Sequence, residues 1–278
     1  MSRAIAAPVG EALSSAAEAL AAAGVESPRL DAELLLAEAI GSSRASLAAA
    51  PEAGVEASAA RGFGGMVRRR LVREPVAQIL GRKGFRRIEL AVDSRVLVPR
   101  PETELLVEVA LELEPRTVLD IGTGSGAVAL ALADELPAAT VVATDTSLEA
   151  LAVAKANRDR LGLGGRVELV YGSPPERREF DLVLANLPYV SDAEWARLAP
   201  EIRDFEPREA LVSGPTGLET IEAVVAELAV ADPLPAAVAL EVGQGQAPTV
   251  AELVRRAGWE TVEVRRDLAG IDRVVVGR

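Results

Sequence analysis

The sequence predicts an α/β protein in which a doubly wound, mostly parallel sheet with an antiparallel edge strand follows a small helical region. Two observations lead to this prediction. From Thr117 onward, short apolar runs rich in β-branched residues alternate with segments of helical periodicity, which is the pattern of repeated βα units. Before residue 73, apolar residues recur at intervals of three and four positions, as they do in helices with one buried face.

The first 72 residues are expected to form a small helical domain. Helices are predicted over 9–23, 29–40 and 56–71. Ser27 and Pro28 resemble an N-cap followed by a proline at the first helical position, and Gly41 is a typical helix end. Because no side chain of this region suits catalysis, we expect residues 1–72 to recognise the substrate.

A linking β-hairpin is predicted over 73–101. Its strands are expected at 75–81 and 88–93, followed by an extended piece at 96–98. Pro99 and Pro101 force the residues before them out of the helical region, so the hairpin leads into a helix that begins near Pro101. Residues 102–278 then form the main domain.

The main domain alternates strands and helices. Strands are predicted at 117–121, 139–144, 166–171, 180–185, 236–242, 261–265 and 273–276, and helices at 127–133, 147–161, 217–230 and 247–257. The two strands at the end of the chain follow each other without a helix, which predicts the antiparallel edge.

The first functional signal is a glycine turn over 122–126, between a buried strand and a helix. Gly122, Gly124 and Gly126 allow a sharp turn and a close approach of a ligand, and the helix start offers free N–H groups. We therefore expect the whole turn, including Thr123 and Ser125, to bind a nucleotide-like cofactor.

Two acidic residues near this turn bear on which cofactor it binds. Asp145 ends the next strand, about where an acid binds ribose hydroxyls. The glycines with Ala127 also fit G-x-G-x-x-A, so a dinucleotide is an alternative. Asp120 would repel a pyrophosphate but would tolerate the cationic groups of S-adenosylmethionine. Charge therefore favours S-adenosylmethionine over NAD.

A second constellation, Asn-Leu-Pro-Tyr at 186–189, directly follows a predicted strand and should face the same crevice as the glycine turn. The Asn186 side chain and the Leu187 backbone carbonyl can both accept from an –NH2 group, which would aim the nitrogen lone pair at a methyl group. Pro188 would stiffen the loop and Tyr189 could cover a planar group. The alternative is an ordinary turn, in which asparagine and proline are common.

Composition excludes several classes of protein. The chain has no cysteine and no histidine, which rules out disulfides, thiolate or histidine catalysis and most zinc sites, so we expect no metal. A net charge of −12 argues against a nucleic-acid-binding face. No apolar run approaches the roughly 18–20 residues of a membrane span, and the N-terminus is a poor signal peptide. A soluble cytoplasmic protein is expected.

These motifs together resemble the release-factor glutamine N5-methyltransferases, a family of class I S-adenosylmethionine enzymes with a Rossmann-like sheet. The segment P-R-P-E-T-E is more specific to that family than the glycine turn. The matching segments are 73–81, 96–104, 118–126, 180–189, 206–211, 240–244 and 267–273.

The resemblance implies transfer of a methyl group from S-adenosylmethionine to the glutamine amide nitrogen in the Gly-Gly-Gln loop of peptide chain release factors. It implies that 122–126 and Asp145 hold the cofactor, and that 186–189 hold the substrate amide, with Asn186 also near the cofactor. We expect a monomer that binds neither nucleic acid nor membrane.

Two departures from the family pattern stand out. Leu187 replaces a proline of the family's Asn-Pro-Pro-Tyr motif. Ser173 and Pro174 stand where the family usually has an acid followed by an aromatic residue beside the adenine, which makes Pro174 the candidate contact there. Two alternatives stay open: an amino-methyltransferase for a nucleic-acid base, which shares the Asn-Pro-Pro-Tyr chemistry, and a weakly active or noncatalytic relative that binds the cofactor.

Overall fold

The computed structural model describes residues 5–173 and 179–278 of the chain. These residues form two compact units. The N-terminal unit comprises the described residues up to Gly81 together with Pro200–Phe205, and the sheet unit comprises Arg82–Ala199 and Glu206–Arg278.

The bounds of the elements are as follows. The α-helices are α1 (Val9–Ala22), α2 (Pro28–Ile40), α3 (Arg44–Ala49), α4 (Ala57–Leu71), α5 (Val76–Leu80), α6 (Glu104–Leu113), α7 (Ala127–Glu135), α8 (Leu148–Leu161), α9 (Asp192–Trp195), α10 (Pro200–Arg203), α11 (Glu219–Ala229) and α12 (Ala247–Arg256). The strands are β1 (Ile5–Pro8), β2 (Gly54–Glu56), β3 (Arg82–Phe85), β4 (Ile88–Ala91), β5 (Thr117–Ile121), β6 (Thr140–Asp145), β7 (Val167–Tyr171), β8 (Leu182–Ala185), β9 (Ala237–Glu241), β10 (Val262–Arg266) and β11 (Asp272–Gly277). Two 3-10 helices cover Pro101–Thr103 and Arg208–Ala210.

The N-terminal unit is helical and has its own apolar core. Helices α1, α2 and α4 have the bounds expected from their periodicity to within one or two residues, and Gly41 ends α2 in the left-handed region at φ 70°. The sequence did not predict the short antiparallel pair of β1 with β2, or α3. This core includes Leu13, Leu20, Leu35, Leu36 and Phe63.

The predicted strand at 75–81 is wrong, because α5 occupies this segment. Pro75 serves as the N-cap and Gly81 ends the helix at φ 70°. The Arg69 guanidinium donates to the Ile79 carbonyl at 3.2 Å, and the Ile79 side chain is buried in the apolar core of the N-terminal unit. The segment 75–81 is too short for its hydrophobic period to distinguish a helix from a strand. Burial of one apolar face against the neighbouring helices therefore decides its conformation.

Buried ion pairs attach α10 to the N-terminal unit. Arg70, whose side chain is 7% exposed, contacts Asp31 at 2.7 Å and Glu201 at 2.8 Å. Arg73 binds the same Glu201 carboxylate through two nitrogens, at 2.6 Å and 2.7 Å. Glu201 is thus shared by two arginines, and its removal would leave Arg70 with Asp31 and Arg73 with only the carbonyl oxygens of Ala23 and Gly24.

The sheet unit contains a seven-stranded sheet in the order β10-β11-β9-β8-β5-β6-β7, among the residues that the structure describes. Strands β5 to β9 pair in parallel, whereas β11 is antiparallel to both β9 and β10. The doubly wound, mostly parallel architecture is confirmed. The antiparallel strand lies one position inside the edge rather than at it, because β10 is the outermost strand on this side.

The sheet unit begins with the antiparallel pair of β3 and β4. A hairpin is therefore present, but its first strand begins at Arg82 and lies after the segment that was predicted. Arg86, with φ 51°, lies at the turn between the two strands. Residues 97–100 follow without regular secondary structure and lead into the 3-10 helix.

Alternating side chains of the parallel strands fill two apolar layers. One layer packs against α6 and α7, and its strand residues include Val118, Val141, Leu182 and Ala239. The other packs against α11 and α12, and its strand residues include Leu119, Val142, Val183 and Leu240. Such complete burial on both faces explains why the strands read as continuous apolar runs.

The layers leave one polar edge, where the carboxyl ends of β5, β6, β8 and β9 meet. Chain order reverses between β5 and β8, so this edge contains the switch point at which open α/β sheets bind ligands. The residues at or just after these strand ends are Gly122, Asp145, Asn186 and Glu241. Across the described parts of the chain, we find no helix with the length and apolar character needed to cross a membrane.

Candidate active site

A cavity of about 340 Å³ opens at this edge of the sheet unit. Its wall brings together the two constellations that the sequence singled out. From those constellations, the lining residues are Gly122, Gly124, Asp145, Asn186, Leu187 and Pro188. Apolar groups of Val96, Leu97, Ile121, Ala150, Pro207, Val212 and Val224 make up much of the remaining wall.

The glycine turn wraps the end of β5. Gly122 and Gly124 line the cavity with φ angles of 73° and 56°, a region in which a side chain would strain the backbone. Thr123, Ser125 and Gly126 lie outside the lining, and the hydroxyl of buried Thr123 faces the protein instead. The turn therefore offers a ligand its backbone rather than its hydroxyl groups.

Asp120 supports this turn from below. It is 2% exposed and accepts from Thr123 Oγ1 at 2.7 Å. Burial raises the pKa of Asp120 to about 6, although hydrogen bonds from Thr123 and from the Ala129 N–H in α7 partly oppose the rise. Asp120 does not line the cavity, so its charge reaches a ligand only through the turn.

Asp145 fits a ligand with two neighbouring hydroxyl groups. Its Oδ2 accepts the Gly124 N–H at 2.9 Å and its Oδ1 accepts the Ser147 N–H at 2.9 Å. Each oxygen keeps a further lone pair, and the side chain lines the cavity. These backbone bonds fix the carboxylate in place, as a ribose site requires, so the residues present fit S-adenosylmethionine.

The loop after β8 supplies Asn186 and Leu187. Asn186 Nδ2 donates to Thr103 Oγ1 at 3.0 Å, and no described residue donates to Oδ1, which leaves this oxygen as an acceptor. The Leu187 side chain is 5% exposed and packs in the layer of α11 and α12. Leu187 therefore anchors the loop in the core.

Tyr189 lies on the other side of the loop and lines a second cavity of about 660 Å³. Its hydroxyl donates to Glu241 Oε1 at 3.5 Å, and its carbonyl accepts from Gln246 Nε2 at 3.0 Å. Burial and the Glu241 charge raise the pKa of Tyr189 to about 12. A Cβ atom at Gly217 would collide with the Tyr189 carbonyl oxygen, so only glycine fits there.

Three groups of this edge were missed by the sequence reasoning. Thr103 is 4% exposed and binds Asn186, and Glu241 is 2% exposed and accepts from Tyr189. Glu206 is buried and holds Arg100 with two contacts at 2.7 Å and 2.8 Å. These residues lie in the segments 96–104, 206–211 and 240–244, which match the family pattern, but the sequence alone assigned them no chemical role.

The expected adenine contact has only part of its surroundings in the structure. Gly172 lines the cavity, and Ser173 is exposed. Pro174 lies outside the described residues, so its part in cofactor binding stays a prediction.

Comparisons with known proteins agree with this arrangement. A model described as PrmC N-terminal domain matches residues 11–81, and one described as Methyltransferase domain matches residues 118–205. Two solved structures show the same fold at low sequence identity. The hMettl16 catalytic domain in complex with MAT2A 3'UTR hairpin 1 has a TM-score of 0.58 at 14% identity, covering 68% of this chain and 74% of that one. The N-terminal domain of human METTL16 in complex with SAH has a TM-score of 0.50 at 16% identity, covering 68% and 75%.

Curated relatives are similar over almost the whole chain. A release factor glutamine methyltransferase of Nitratidesulfovibrio vulgaris is 41% identical, over 95% of this chain and 92% of its own length. A protein of the same name from Cereibacter sphaeroides is 42% identical over 96% and 97%. The resemblance seen in the motifs is confirmed, and the chain belongs to the release factor glutamine methyltransferase family.

Proposed function

We propose that this protein methylates the side-chain amide nitrogen of a glutamine in peptide chain release factors, with S-adenosylmethionine as the methyl donor. Membership of the family makes the chain an S-adenosylmethionine-dependent methyltransferase. The observation that carries the proposal is Asn186, held by its nitrogen at the switch point and beside the cavity with its oxygen free. Such an oxygen suits an –NH2 group.

The cofactor site that we propose consists of the glycine turn over 122–126, Asp145, Asn186 and Pro174. Asp145 would accept from the ribose hydroxyls, and the backbone of Gly122 and Gly124 would lie against the methionine part. When bound, S-adenosylmethionine supplies a methyl group activated by its sulfonium charge.

The substrate amide would be oriented by two carbonyl oxygens, Asn186 Oδ1 and the backbone oxygen of Leu187. Among the described residues, neither oxygen accepts a hydrogen bond from another protein group. Accepting both N–H groups turns the nitrogen lone pair toward the methyl group, and the two dipoles stabilise the charge that develops on nitrogen. A dedicated base is not required, because the amide nitrogen can lose its proton to water or to a carbonyl oxygen once the methyl group has been transferred. Pro188 would keep the loop rigid, and Tyr189 would cover the planar amide from the side of the second cavity.

The finer parts of the proposal concern the partner. We propose that the glutamine of a Gly-Gly-Gln loop is the acceptor, since two glycines bring no side chains to the rim of the site. Residues 1–72 would recognise the body of the release factor, residues 73–101 would link this domain to the next, and residues 102–278 would carry out the methyl transfer. The whole protein would act as a monomer. The net charge of −12 supports a partner other than nucleic acid.

The test is transfer of a labelled methyl group from S-adenosylmethionine to a release factor, to the same factor with its loop glutamine changed to glutamate, and to total nucleic acid. We expect label in the first alone, and peptide mapping should place it on that glutamine. Label in nucleic acid, or equal label in both protein substrates, would contradict the proposal. Sedimentation of the enzyme would test the monomer.

A further inference from the structure

Asn186 can serve as an acceptor only if its amide keeps one orientation. Its Nδ2 group donates to Thr103 Oγ1 at 3.0 Å, which leaves Oδ1 for the substrate. A threonine hydroxyl can donate as well as accept, so Thr103 alone would hold either end of the amide. Whatever fixes the orientation must therefore act on Thr103.

Glu241 is placed to do so. It lies one position beyond the last paired residues of β8 and β9, beside Asn186, and is 2% exposed. The Thr103 hydroxyl lies close enough to lower the pKa of this carboxyl, and the Tyr189 hydroxyl donates to Oε1. Oε2 is buried and has no hydrogen-bond partner among the described residues, so this carboxyl still has an acceptor to offer.

The Thr103 hydroxyl is not engaged in its most common local role. Thr103 directly precedes α6 as the last residue of the 3-10 helix, with helical backbone angles of φ −65° and ψ −19°, and its side chain makes no capping hydrogen bond. A capping threonine has non-helical backbone angles, so the buried Thr103 hydroxyl is not committed to that role. Here the Thr103 oxygen instead accepts from Asn186 Nδ2, which leaves the hydroxyl proton free to be donated to another group.

We propose that Thr103 and Glu241 are positioning residues that polarise a hydrogen-bond chain, from Asn186 Nδ2–H to Thr103 Oγ1 and from the Thr103 O–H to Glu241. A carboxylate accepts hydrogen bonds and donates none, so ionised Glu241 obliges the Thr103 hydroxyl to donate to it. The Thr103 oxygen can then only accept from Asn186. The inference rests on the proposed function, which supplies the –NH2 group that Asn186 meets.

Protonation of Glu241 would remove this polarity, because a carboxylic acid donates as well as accepts. Burial raises the pKa of Glu241 to about 7, while Thr103 and Arg273 lower it and the charge of Glu102 raises it. The pKa of Tyr189 is about 12 and that of Arg273 is raised further, so both keep their charge state near neutral pH. The hydrogen-bond chain should therefore lose its direction as the pH falls below neutrality.

The first experiment is a double-mutant cycle on release-factor methylation. Thr103→Val should lower kcat by about 10- to 100-fold with little change in cofactor affinity, and Thr103→Ser should restore most of the rate. In an Asn186→Ala background Thr103→Val should have no further effect, since no amide is left to orient. An equally large loss in both backgrounds, or wild-type kcat in Thr103→Val, would overturn the inference.

A matched control is Thr117→Val, at the opposite end of the sheet. The Thr117 hydroxyl accepts from the Asp181 N–H at 3.0 Å, so the variant also loses one threonine hydroxyl bond. We expect wild-type kinetics from it. Thermal unfolding of both valine variants shows whether they differ in stability, and Thr103→Ser reports on the hydroxyl itself.

The second experiment follows pH and does not depend on catalysis. In ¹⁵N NMR spectra the Asn186 side-chain amide should shift with pH near neutrality in the wild type, and should not do so in Glu241→Gln or Thr103→Val. The kcat of the wild type should rise over the same range, and that of Glu241→Gln should be low and flat. The same titration in Glu241→Gln would overturn the inference. Failure of the wild-type enzyme to methylate contradicts the proposed function alone, because the NMR result still tests the hydrogen-bond chain from Asn186 through Thr103 to Glu241.

Discussion

Asn186 is bound through its nitrogen, and this leaves its oxygen to a ligand. If that oxygen accepts from the glutamine –NH2 group, Asn186→Ala removes one of two groups that orient the nitrogen. The methylation rate should fall roughly 10²–10³-fold, the usual effect of deleting one preorganised polar group. Single-turnover kinetics measure the rate, and calorimetry should show a smaller change in cofactor affinity. Full activity in this variant would mean that the amide is held elsewhere.

Asp145 is the residue on which cofactor affinity should depend most. Asp145→Ala leaves ligand hydroxyls and the Gly124 N–H without an acceptor, so binding of S-adenosylmethionine should weaken by on the order of 1–3 kcal/mol. Asp181→Ala is a matched control, because Asp181 also accepts two backbone N–H groups but lies outside the cavity. Calorimetry checks both variants. An indifferent Asp145→Ala variant, or binding of NAD by the wild type, would contradict the cofactor assignment.

Leu187 combines a role in packing with a proposed role in catalysis. Leu187→Pro restores the family's loop and keeps the carbonyl oxygen, so the rate per folded enzyme should stay near wild type. The buried leucine side chain is lost from its layer, which should lower the free energy of unfolding by about 1–2 kcal/mol. Urea unfolding and single-turnover rates separate the two effects. A rate loss as large as that of Asn186→Ala would show that the loop needs the Leu187 N–H or its present backbone angle.

At the scale of elements, the parallel sheet could be predicted because each strand is buried on both faces and reads as an apolar run. The segment 75–81 could not, because Val76, Ile79 and Leu80 fit a strand as well as one helical turn. Its conformation depends on Arg69 and on a core that forms only in three dimensions. The cofactor turn and the loop after β8 were recognisable from local chemistry.

Thr103 and Glu241 were not recognisable in the same way. They are far apart in the sequence from each other and from Asn186, and neither carries chemistry of its own. Their importance comes from burial at one sheet edge, where an unsatisfied carboxyl or hydroxyl becomes costly. Such groups emerge only when strand order is known.

Asp120, which accepts the Ala129 N–H at the start of α7, gives a prediction about how the free energy of unfolding depends on pH. Because burial raises the pKa of Asp120 to about 6, its carboxyl favours the folded state fully below pH 3.8, and this contribution is lost as the pH rises through 6. Relative to Asp120→Asn, the wild type should therefore lose on the order of 2–3 kcal/mol of unfolding free energy between pH 4 and pH 7.5. Urea unfolding at several pH values checks this. A difference that stays constant with pH would contradict it.

At the scale of the whole molecule, the residues that line the cofactor cavity all belong to the sheet unit. Deletion of residues 1–72 should therefore leave cofactor affinity nearly unchanged, while methylation of a complete release factor falls sharply. A short Gly-Gly-Gln peptide should lose much less. Equal losses on both substrates would mean that these residues support the catalytic fold instead of recognising the partner.

This deletion needs a control, because it also removes Arg70 and leaves Glu201 with Arg73 alone. Full-length Glu201→Gln breaks the Arg70–Glu201 ion pair, and the Arg73–Glu201 pair as well, without removing the helices. If the deletion acts through recognition, Glu201→Gln should keep most of the activity on the complete release factor, although its N-terminal unit should show faster hydrogen exchange.

The shared carboxylate of Glu201 also has a consequence for the order of events during translation. Arg73 and Glu201 are 128 positions apart, so a ribosome adding about 5–20 residues per second makes the intervening chain in roughly 6–25 s. Throughout that time Arg70 and Arg73 lack their shared carboxylate, while the ribosome synthesises strands β5 to β8. The first segment to emerge is therefore among the last to gain all of its ion pairs, because Glu201 of the N-terminal unit is made after strands β5 to β8.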